Sequence, residues 1–198
     1  MNTDNPISEI NRILGDSPRL AYVRSFGCQL NVSDGEKIKG MLKKLGYGFT
    51  EDEAQADLII LNTCAVRESA EDRVFGIIGG MKKLKELKPS LIIGISGCMT
   101  AQSHISERIK KSYRQVDFVV GTSAISRIPG LLLDCFKGRK FGMDIEEYDD
   151  FSEAAEQVRS CSYKASVPIM FGCNNFCTYC IVPYVRGRER SRRISMLR

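Results

Sequence analysis

The stretch Asp57-Leu58-Ile59-Ile60-Leu61-Asn62-Thr63-Cys64 decides the fold. Its four consecutive apolar residues, 58–61, are typical of a parallel strand that is covered on both faces. The polar residues and Cys64 that follow them mark the carboxyl end of that strand. A helical pattern of apolar residues then runs from about 67 to 88, where Pro89 ends it. The stretch therefore predicts one strand–helix unit.

The same unit recurs on both sides of this stretch. We predict further strands at 20–26, 91–96 and 117–120, each followed by a helix, at 33–45, around 105–109 and at 129–136. Ser33 and Glu36 are spaced as a capping box for the first of these helices, and Gly46 is a suitable stop. Strands that alternate with helices indicate right-handed crossovers. The fold class is therefore α/β, with a doubly wound, mostly parallel sheet.

Three cysteines directly follow predicted strands. They are Cys28, Cys64 and Cys98, which lie 36 and 34 residues apart, about one strand–helix unit each. The carboxyl ends of parallel strands open on one edge of the sheet, where ligands bind. We therefore expect the three thiols to converge on one site, although Cys is also a common core residue and such positions can arise by chance.

Three more cysteines share one short loop, Gly172-Cys173-Asn174-Asn175-Phe176-Cys177-Thr178-Tyr179-Cys180, after an apolar run at 165–171 that predicts a buried strand. A structural zinc ion requires four ligands, and no local fourth Cys or His follows Cys180. Three thiolates suit a 4Fe-4S cluster that leaves one iron open. A zinc knuckle and unligated thiols remain the alternatives.

Composition limits the class of protein. The chain has 198 residues, 43% of them hydrophobic, and a net charge of +5, which permits an RNA partner without requiring one. No run of 18 apolar residues predicts a membrane span, and residues 1–10 lack a signal-peptide pattern. We expect a cytoplasmic protein without a membrane partner. In that compartment eight Cys favour metal or redox chemistry over disulfides.

The charge pattern suggests four regions. Seven acidic residues and no basic residue lie between 144 and 156, which indicates a solvated linker. We therefore divide the chain into an exposed N-terminal arm with a short helix (1–19), an α/β domain (20–143), an acidic linker (144–163) and the incomplete start of a second domain (164–198). Outside the two cysteine sets, Cys135 is expected in the core, Cys161 as a free thiol and His104 on the surface.

Several motifs together carry a family resemblance, which covers residues from about 20 to 192. They are Gly27-Cys28-Gln29-Leu30-Asn31, Asn62-Thr63-Cys64-Ala65-Val66-Arg67-Glu68, Gly97-Cys98-Met99, Cys173 to Cys180, Val182-Pro183-Tyr184 and Arg186-Gly187-Arg188-Glu189. This set resembles the methylthiotransferases of the radical S-adenosylmethionine (SAM) superfamily. Gln29-Leu30-Asn31 and residues 65–68 are most similar to the branch that modifies isopentenyladenosine in tRNA.

The resemblance implies two cofactor sites. Cys173, Cys177 and Cys180 would hold a 4Fe-4S cluster that binds SAM, with Tyr179 against the adenine of SAM. The second 4Fe-4S cluster, which supplies or carries the sulfur, would be held by Cys28, Cys64 and Cys98. No catalytic residue is assigned beyond these ligands.

The resemblance also implies the reaction and its partners. The full-length protein would be an enzyme, a sulfur-transferring transferase that adds a 2-methylthio group to N6-isopentenyladenosine at tRNA position 37. It would act as a monomer on the tRNA anticodon stem-loop, with an electron donor such as flavodoxin or ferredoxin. Residues 164–198 would be the truncated start of the family's (β/α) barrel, so we expect this chain alone to be inactive.

Arginines are concentrated after Cys180, at Arg186, Arg188, Arg190, Arg192, Arg193 and Arg198. They suit the phosphates of the anticodon stem, and a solvated loop or internal pairing with Glu189 explains them equally well. Three other functions compete with the main hypothesis. They are a non-catalytic iron–sulfur binding module, a structural zinc protein and a methylthiotransferase that modifies a ribosomal protein.

Overall fold

A computed structural model of the chain describes residues 6–15, 18–65, 68–148, 158–159, 163 and 166–192. The helices are α1 (Pro6–Leu14), α2 (Gln29–Lys44), α3 (Glu68–Leu87), α4 (Ser103–Ser112), α5 (Ile128–Phe136) and α6 (Val182–Arg186), with a 3-10 helix at Thr122–Arg127. The strands are β1 (Arg19–Ser25), β2 (Tyr47–Phe49), β3 (Leu58–Thr63), β4 (Ile92–Gly97), β5 (Phe118–Val120), β6 (Gly142–Asp144), β7 (Met170–Phe171) and β8 (Arg190–Ser191).

Six strands form one parallel sheet in the order β2-β1-β3-β4-β5-β6. The chain first builds outward from β1 to β2, then returns across β1 to β3 and continues to β6 in the opposite direction. The reversal separates the two crossovers at the β1/β3 boundary, which is where doubly wound sheets open a crevice for ligands. The predicted doubly wound α/β sheet is confirmed.

The sheet carries a hydrophobic core on each face. Leu58 and Ile60 of β3 pack into one core with α1, α2 and α5, while Ile59 and Leu61 pack into the other with α3 and α4. All six residues of β3 and all six of β4 are buried. These two strands therefore lie at the centre of the molecule and make the firmest support for any group at their carboxyl ends.

The start of α2 differs from the expectation. The helix begins at Gln29, with Cys28 as an extended N-cap residue (φ −87°, ψ 172°), so Ser33 and Glu36 lie inside the helix and are buried there. The predicted capping box is wrong, because the amide of Val32 already donates to the carbonyl of Cys28 at 3.1 Å and closes the first turn. The consequence is that α2 starts at a cysteine and not one turn beyond it.

Three further departures from the expectations concern α1, α3 and the two edge strands of the sheet. The predicted short helix exists as α1, but Ile10 and Leu14 are buried in the core, so this part of the N-terminal arm is not exposed. The apolar stripe predicted for α3 overreaches, because Leu87 is 84% exposed. Two short strands were not predicted, β2 at one edge of the sheet and β6 at the other.

The predicted start of a second domain, 164–198, has little regular structure among its described residues. β7 pairs antiparallel with β8 in a separate two-stranded sheet. The buried strand expected over 165–171 is wrong for the described residues, since only 170–171 form a strand and Val167 and Ile169 are exposed. Among the described residues this run has no parallel neighbour, so it is not covered on both faces as a buried parallel strand would be. The start of a (β/α) barrel therefore stays a prediction.

Candidate cysteine sites

Cys28, Cys64 and Cys98 lie at the carboxyl ends of three adjacent strands, β1, β3 and β4. Cys64 and Cys98 directly follow β3 and β4 and are buried, whereas Cys28 is exposed at the start of α2. The backbone joins two of the loops, because the amide of Cys98 donates to the carbonyl of Thr63 at 2.9 Å. The structure thus places the three thiols at one edge of the sheet, beside the crossover reversal.

Asn31 connects the loops that carry these thiols. Its side-chain amide donates to the carbonyls of Phe26 and Thr63, both at 2.8 Å. Its Oδ1 accepts from the Cys98 thiol at 3.6 Å and from Arg186 Nη2 at 2.6 Å. Asn31 is fully buried, so its side chain cannot bond to bulk water. These hydrogen bonds within the protein satisfy its donors and its acceptor instead. Asn31 therefore both fixes the turn between β1 and α2 and contacts the thiol of Cys98.

Asn62, near the end of β3, is hydrogen-bonded to Asn31. Its side-chain amide donates to the carbonyl of Asn31 at 2.6 Å and to the hydroxyl of Ser25 at 3.3 Å. The hydroxyl of Thr63 donates to the carbonyl of Ser96 at 2.6 Å and links β3 to β4. The ends of all three strands are thereby held by side-chain hydrogen bonds, buried or partly buried, in addition to the backbone ladder of the sheet.

Gly27 leaves the space that Cys64 fills. A Cβ at this position would lie 2.4 Å from the Cβ and 2.5 Å from the Sγ of Cys64, and the backbone has φ +95°. Both the left-handed φ and the close approach require glycine. The turn before Cys28 is therefore built around the neighbouring thiol.

This contact predicts that Gly27→Ala lowers the free energy of unfolding by about 3 kcal/mol or more, from backbone strain plus displacement of Cys64. The matched control is Gly46→Ala, which has a similar φ of +81° but no neighbour within 4 Å of its Cβ position. The control should lose only about 1–2 kcal/mol. Urea denaturation compares the two variants, and equal losses would mean that the Gly27–Cys64 contact contributes nothing.

Arg186 is a site residue that sequence reasoning misplaced. It ends α6 and is only 5% exposed, so it neither faces phosphates nor pairs with Glu189. Its Nη1 donates to Asp34 Oδ2 at 2.6 Å, and its Nε donates to the Sγ of Cys98 at 3.1 Å. Burial opposes the charged form, but Asp34 and Cys98 outweigh it and raise the pKa of Arg186. No signal in the sequence pointed to this pair, because Asp34 lies in α2, 152 residues before Arg186.

Two opposing effects act on Cys98. Burial raises the pKa of the Cys98 thiol above its ordinary value, and the adjacent guanidinium of Arg186 lowers it in part. Asp34 has a second cation beside it, Lys37, at 3.6 Å. Burial lowers the pKa of Lys37, whose ammonium lies 4.7 Å from the ring centroid of Phe171. Arg186 and Asp34 thus form a buried ion pair next to the sulfur of Cys98, with Lys37 as a second cation beside Asp34.

The second cysteine loop is more open. Cys173 and Cys180 are half-buried and Cys177 is exposed. The amide of Cys173 donates to the carbonyl of Gly187 at 3.2 Å, and the amide of Cys180 donates to the carbonyl of Cys177 at 2.9 Å. Tyr179 is 94% exposed, so its ring is accessible to a ligand from outside.

The arginines that follow are mostly engaged with the chain itself. Arg190 Nη1 donates to the carbonyl of Tyr148 at 2.6 Å, and the guanidinium of Arg188 lies 5.1 Å from the ring centroid of Phe176. Arg188 is exposed and remains suited to a phosphate contact. Arg193 and Arg198 lie outside the described residues.

The remaining predicted positions have simple environments. Cys135 is half-buried against the core, and burial raises its pKa to about 12, as expected of a packing residue. His104 is exposed, as predicted. Cys161 and the acidic residues from 149 to 156 lie outside the described residues.

Two features are absent from the ranges of residues that the structure describes. No three Cys, His, Asp or Glu side chains in those ranges are close enough to hold a single metal ion. None of the described helices combines the length and the apolar character needed to cross a membrane.

Comparisons with known proteins agree with the motifs. The model of a family described as "Uncharacterized protein family UPF0004" matches residues 20–121. The chain is similar to proteins named "tRNA-2-methylthio-N(6)-dimethylallyladenosine synthase": 49% identical over 87% of the chain to that of Thermoanaerobacter sp. (strain X514), and 42% identical over 98% to that of Halalkalibacterium halodurans. These matches cover 37% and 36% of the two relatives, so the chain spans a little over a third of their length.

Proposed function

The chain belongs to the UPF0004 family, and we propose that the whole protein is a tRNA methylthiotransferase that forms 2-methylthio-N6-isopentenyladenosine. The observation that carries this proposal is the 49% identity, over 87% of the chain, to a protein named "tRNA-2-methylthio-N(6)-dimethylallyladenosine synthase". The same proposal includes the position of the modified base in the tRNA, the anticodon stem-loop as the binding site and a flavodoxin or ferredoxin as the electron donor. It also includes a monomeric state and a cytoplasmic location.

The first cysteine site fits an iron–sulfur cluster in its chemistry. Its donors are sulfur atoms only, the choice that soft iron–sulfur centres require, and they come from three loops at one sheet edge. No three of the described side chains are close enough for a single ion, whereas a cluster is larger than one ion and takes thiolates that are further apart. We assign Cys28, Cys64 and Cys98 as its ligands.

The second cysteine site fits a cluster that must admit a ligand. Cys173, Cys177 and Cys180 would hold it, and the exposed Tyr179 would lie against the adenine of SAM. When bound, the two clusters and SAM would supply the electron and the radical chemistry that an unactivated adenine C–H bond requires.

The residues of the chain orient and shield these groups. Asn31 and Asn62 fix the loops after β1, β3 and β4 by hydrogen bonds, so the first three thiols stay in one arrangement. Burial of Cys64 and Cys98 keeps water from two of the three sulfurs, while Cys28 faces outward. The exposed side of the site is therefore the side from which a substrate can approach.

Anaerobic reconstitution with iron and sulfide tests the cofactor assignment. We expect about eight irons per chain, because two 4Fe-4S clusters require that number. Changing Cys28, Cys64 and Cys98 together to Ala should remove about half of the iron, and changing Cys173, Cys177 and Cys180 to Ala should remove the other half. Cys135→Ala is the control and should retain all of it.

Several results would contradict the assignment. Unchanged iron in either triple variant would exclude that set as ligands, and a colourless chain with stoichiometric zinc would favour a structural zinc protein. About four irons in the unmodified chain would favour a binding module with one cluster. For the reaction itself, a deletion strain that carries the whole gene should regain 2-methylthiolated nucleosides in its tRNA, measured by mass spectrometry. Modified ribosomal protein instead of modified tRNA would overturn the proposed substrate.

A further inference from the structure

The two cysteine sites are joined by one side chain. Arg186 follows Cys180 by only six positions, yet its guanidinium ends inside the first cysteine site, in contact with Asp34 and Asn31, 152 and 155 residues earlier in the chain. Its Nε reaches the Sγ of Cys98 at 3.1 Å. A residue of the second site therefore completes the surroundings of a thiol in the first.

The guanidinium is held on three sides by different acceptors. Asp34 accepts from Nη1, Asn31 accepts from Nη2 and Cys98 accepts from Nε, and Arg186 and Asp34 are both almost fully buried. A planar guanidinium presents its donors in a fixed fork, so three acceptors in these directions select Arg over Lys. The arrangement is specific to one position and one orientation of α6.

A neighbouring contact fixes the backbone of the same helix. The hydroxyl of Thr122 donates to the carbonyl of Val185 at 2.7 Å, directly beside Arg186. Thr122 begins the 3-10 helix that follows β5, so α6 is attached to the α/β domain through its backbone and through its last side chain. The second cysteine loop, which leads into α6, is thereby held against the edge of the sheet.

We propose that Arg186 is a positioning residue that holds the sulfur of Cys98 and fixes the second cysteine segment against the first cysteine site. The part of this inference that concerns a cluster on Cys98 rests on the proposed function, whereas the attachment of α6 does not. An N–H donor and a positive charge at a ligand sulfur stabilise the reduced, more negative state of an iron–sulfur cluster. Arg186 therefore raises the reduction potential of whatever cluster Cys98 holds.

The potential can be measured on one cluster alone. In the full chain with Cys173, Cys177 and Cys180 changed to Ala, only the first cluster remains, and anaerobic spectroelectrochemical titration gives its potential. Arg186→Met should shift that potential to a more negative value, and Arg186→Lys should shift it less, because Lys keeps the charge but loses the fork. Arg188→Met is the matched control, since Arg188 is exposed two residues away and lies over Phe176. It should leave the potential unchanged.

Hydrogen–deuterium exchange of the chain without metal tests the attachment separately. Arg186→Met should increase amide exchange in residues 182–190 by about tenfold or more. In this variant the segment can open without breaking the buried contacts of the guanidinium, so opening costs less free energy. Arg188→Met should leave this peptide unchanged, and strand β4 should be unchanged in both variants.

The outcomes separate this inference from the proposed function. If the background variant binds no iron, the assignment of Cys28, Cys64 and Cys98 fails, and the exchange data alone decide the attachment. If the cluster assembles and its potential is the same in Arg186→Met and Arg188→Met, the positioning role at Cys98 is overturned. If the 182–190 peptide exchanges no faster in Arg186→Met, the attachment of α6 is overturned.

Discussion

Asp34→Ala is expected to lower the free energy of unfolding by about 3–5 kcal/mol, because it leaves the guanidinium of Arg186 buried without its counter-charge. The carboxylate and the guanidinium are 2.6 Å apart, and both side chains are at most 5% exposed. Lys37, the other cation beside Asp34, cannot substitute for the lost anion. Urea denaturation followed by circular dichroism measures the loss.

A double variant separates the pair from its parts. Asp34→Ala with Arg186→Met removes both charges and should recover much of the lost stability, since an apolar replacement of a whole buried pair is often neutral. Glu107→Ala is the control, because its partner Lys110 is half-exposed at 3.9 Å and such a pair contributes about 0.5 kcal/mol or less. Losses that simply add in the double variant would show that the two groups do not interact.

Gly94→Ala is expected to destabilise the sheet by about 3 kcal/mol. Gly94 is buried in the central strand β4, and a Cβ there would lie 2.1–2.7 Å from three ring carbons of Phe118 on β5. Phe118 is fully buried, and because protein cores are close-packed its ring cannot move aside without displacing its neighbours, so the added methyl group is expected to push the two strands apart. Thermal denaturation of the apo chain measures the effect.

The second-site change Phe118→Leu should rescue Gly94→Ala in part. On its own, Phe118→Leu leaves a cavity and loses roughly 1–2 kcal/mol, but with Gly94→Ala the smaller side chain makes room for the methyl group. The double variant should therefore be more stable than the sum of the two losses predicts. If Phe118→Leu gives Gly94→Ala no such relief, the contact between Gly94 and Phe118 does not limit packing.

The centre of the fold could be predicted because its sequence signal is local. Residues 58–61 are apolar without interruption, residues 91–95 are apolar except for Gly94, and each run lies in a buried parallel strand of the structure. The same reasoning places Cys64 and Cys98 at strand ends. The edge strands β2 and β6 contain only three residues each, too few for an alternation to be recognised.

Two of the errors have a common physical origin in buried polar groups. Ser33 and Glu36 have the spacing of a capping box, yet they are buried within α2, where tertiary contacts override the local motif. Arg186 lies in an arginine-rich segment and reads as a surface charge, but its partner Asp34 is 152 residues distant. Two residues so far apart in the chain produce no periodic pattern by which a single sequence could reveal that they pair.

The long separation between Asp34 and Arg186 affects the order in which the molecule can be completed on the ribosome. All six strands of the main sheet are synthesised before α6, and N-terminal units generally fold first. Until Arg186 emerges, the Asp34 carboxylate must stay hydrated or depend on Lys37. The nascent sheet therefore keeps an open, wet edge at Cys98, which closes only after the second cysteine loop has been made.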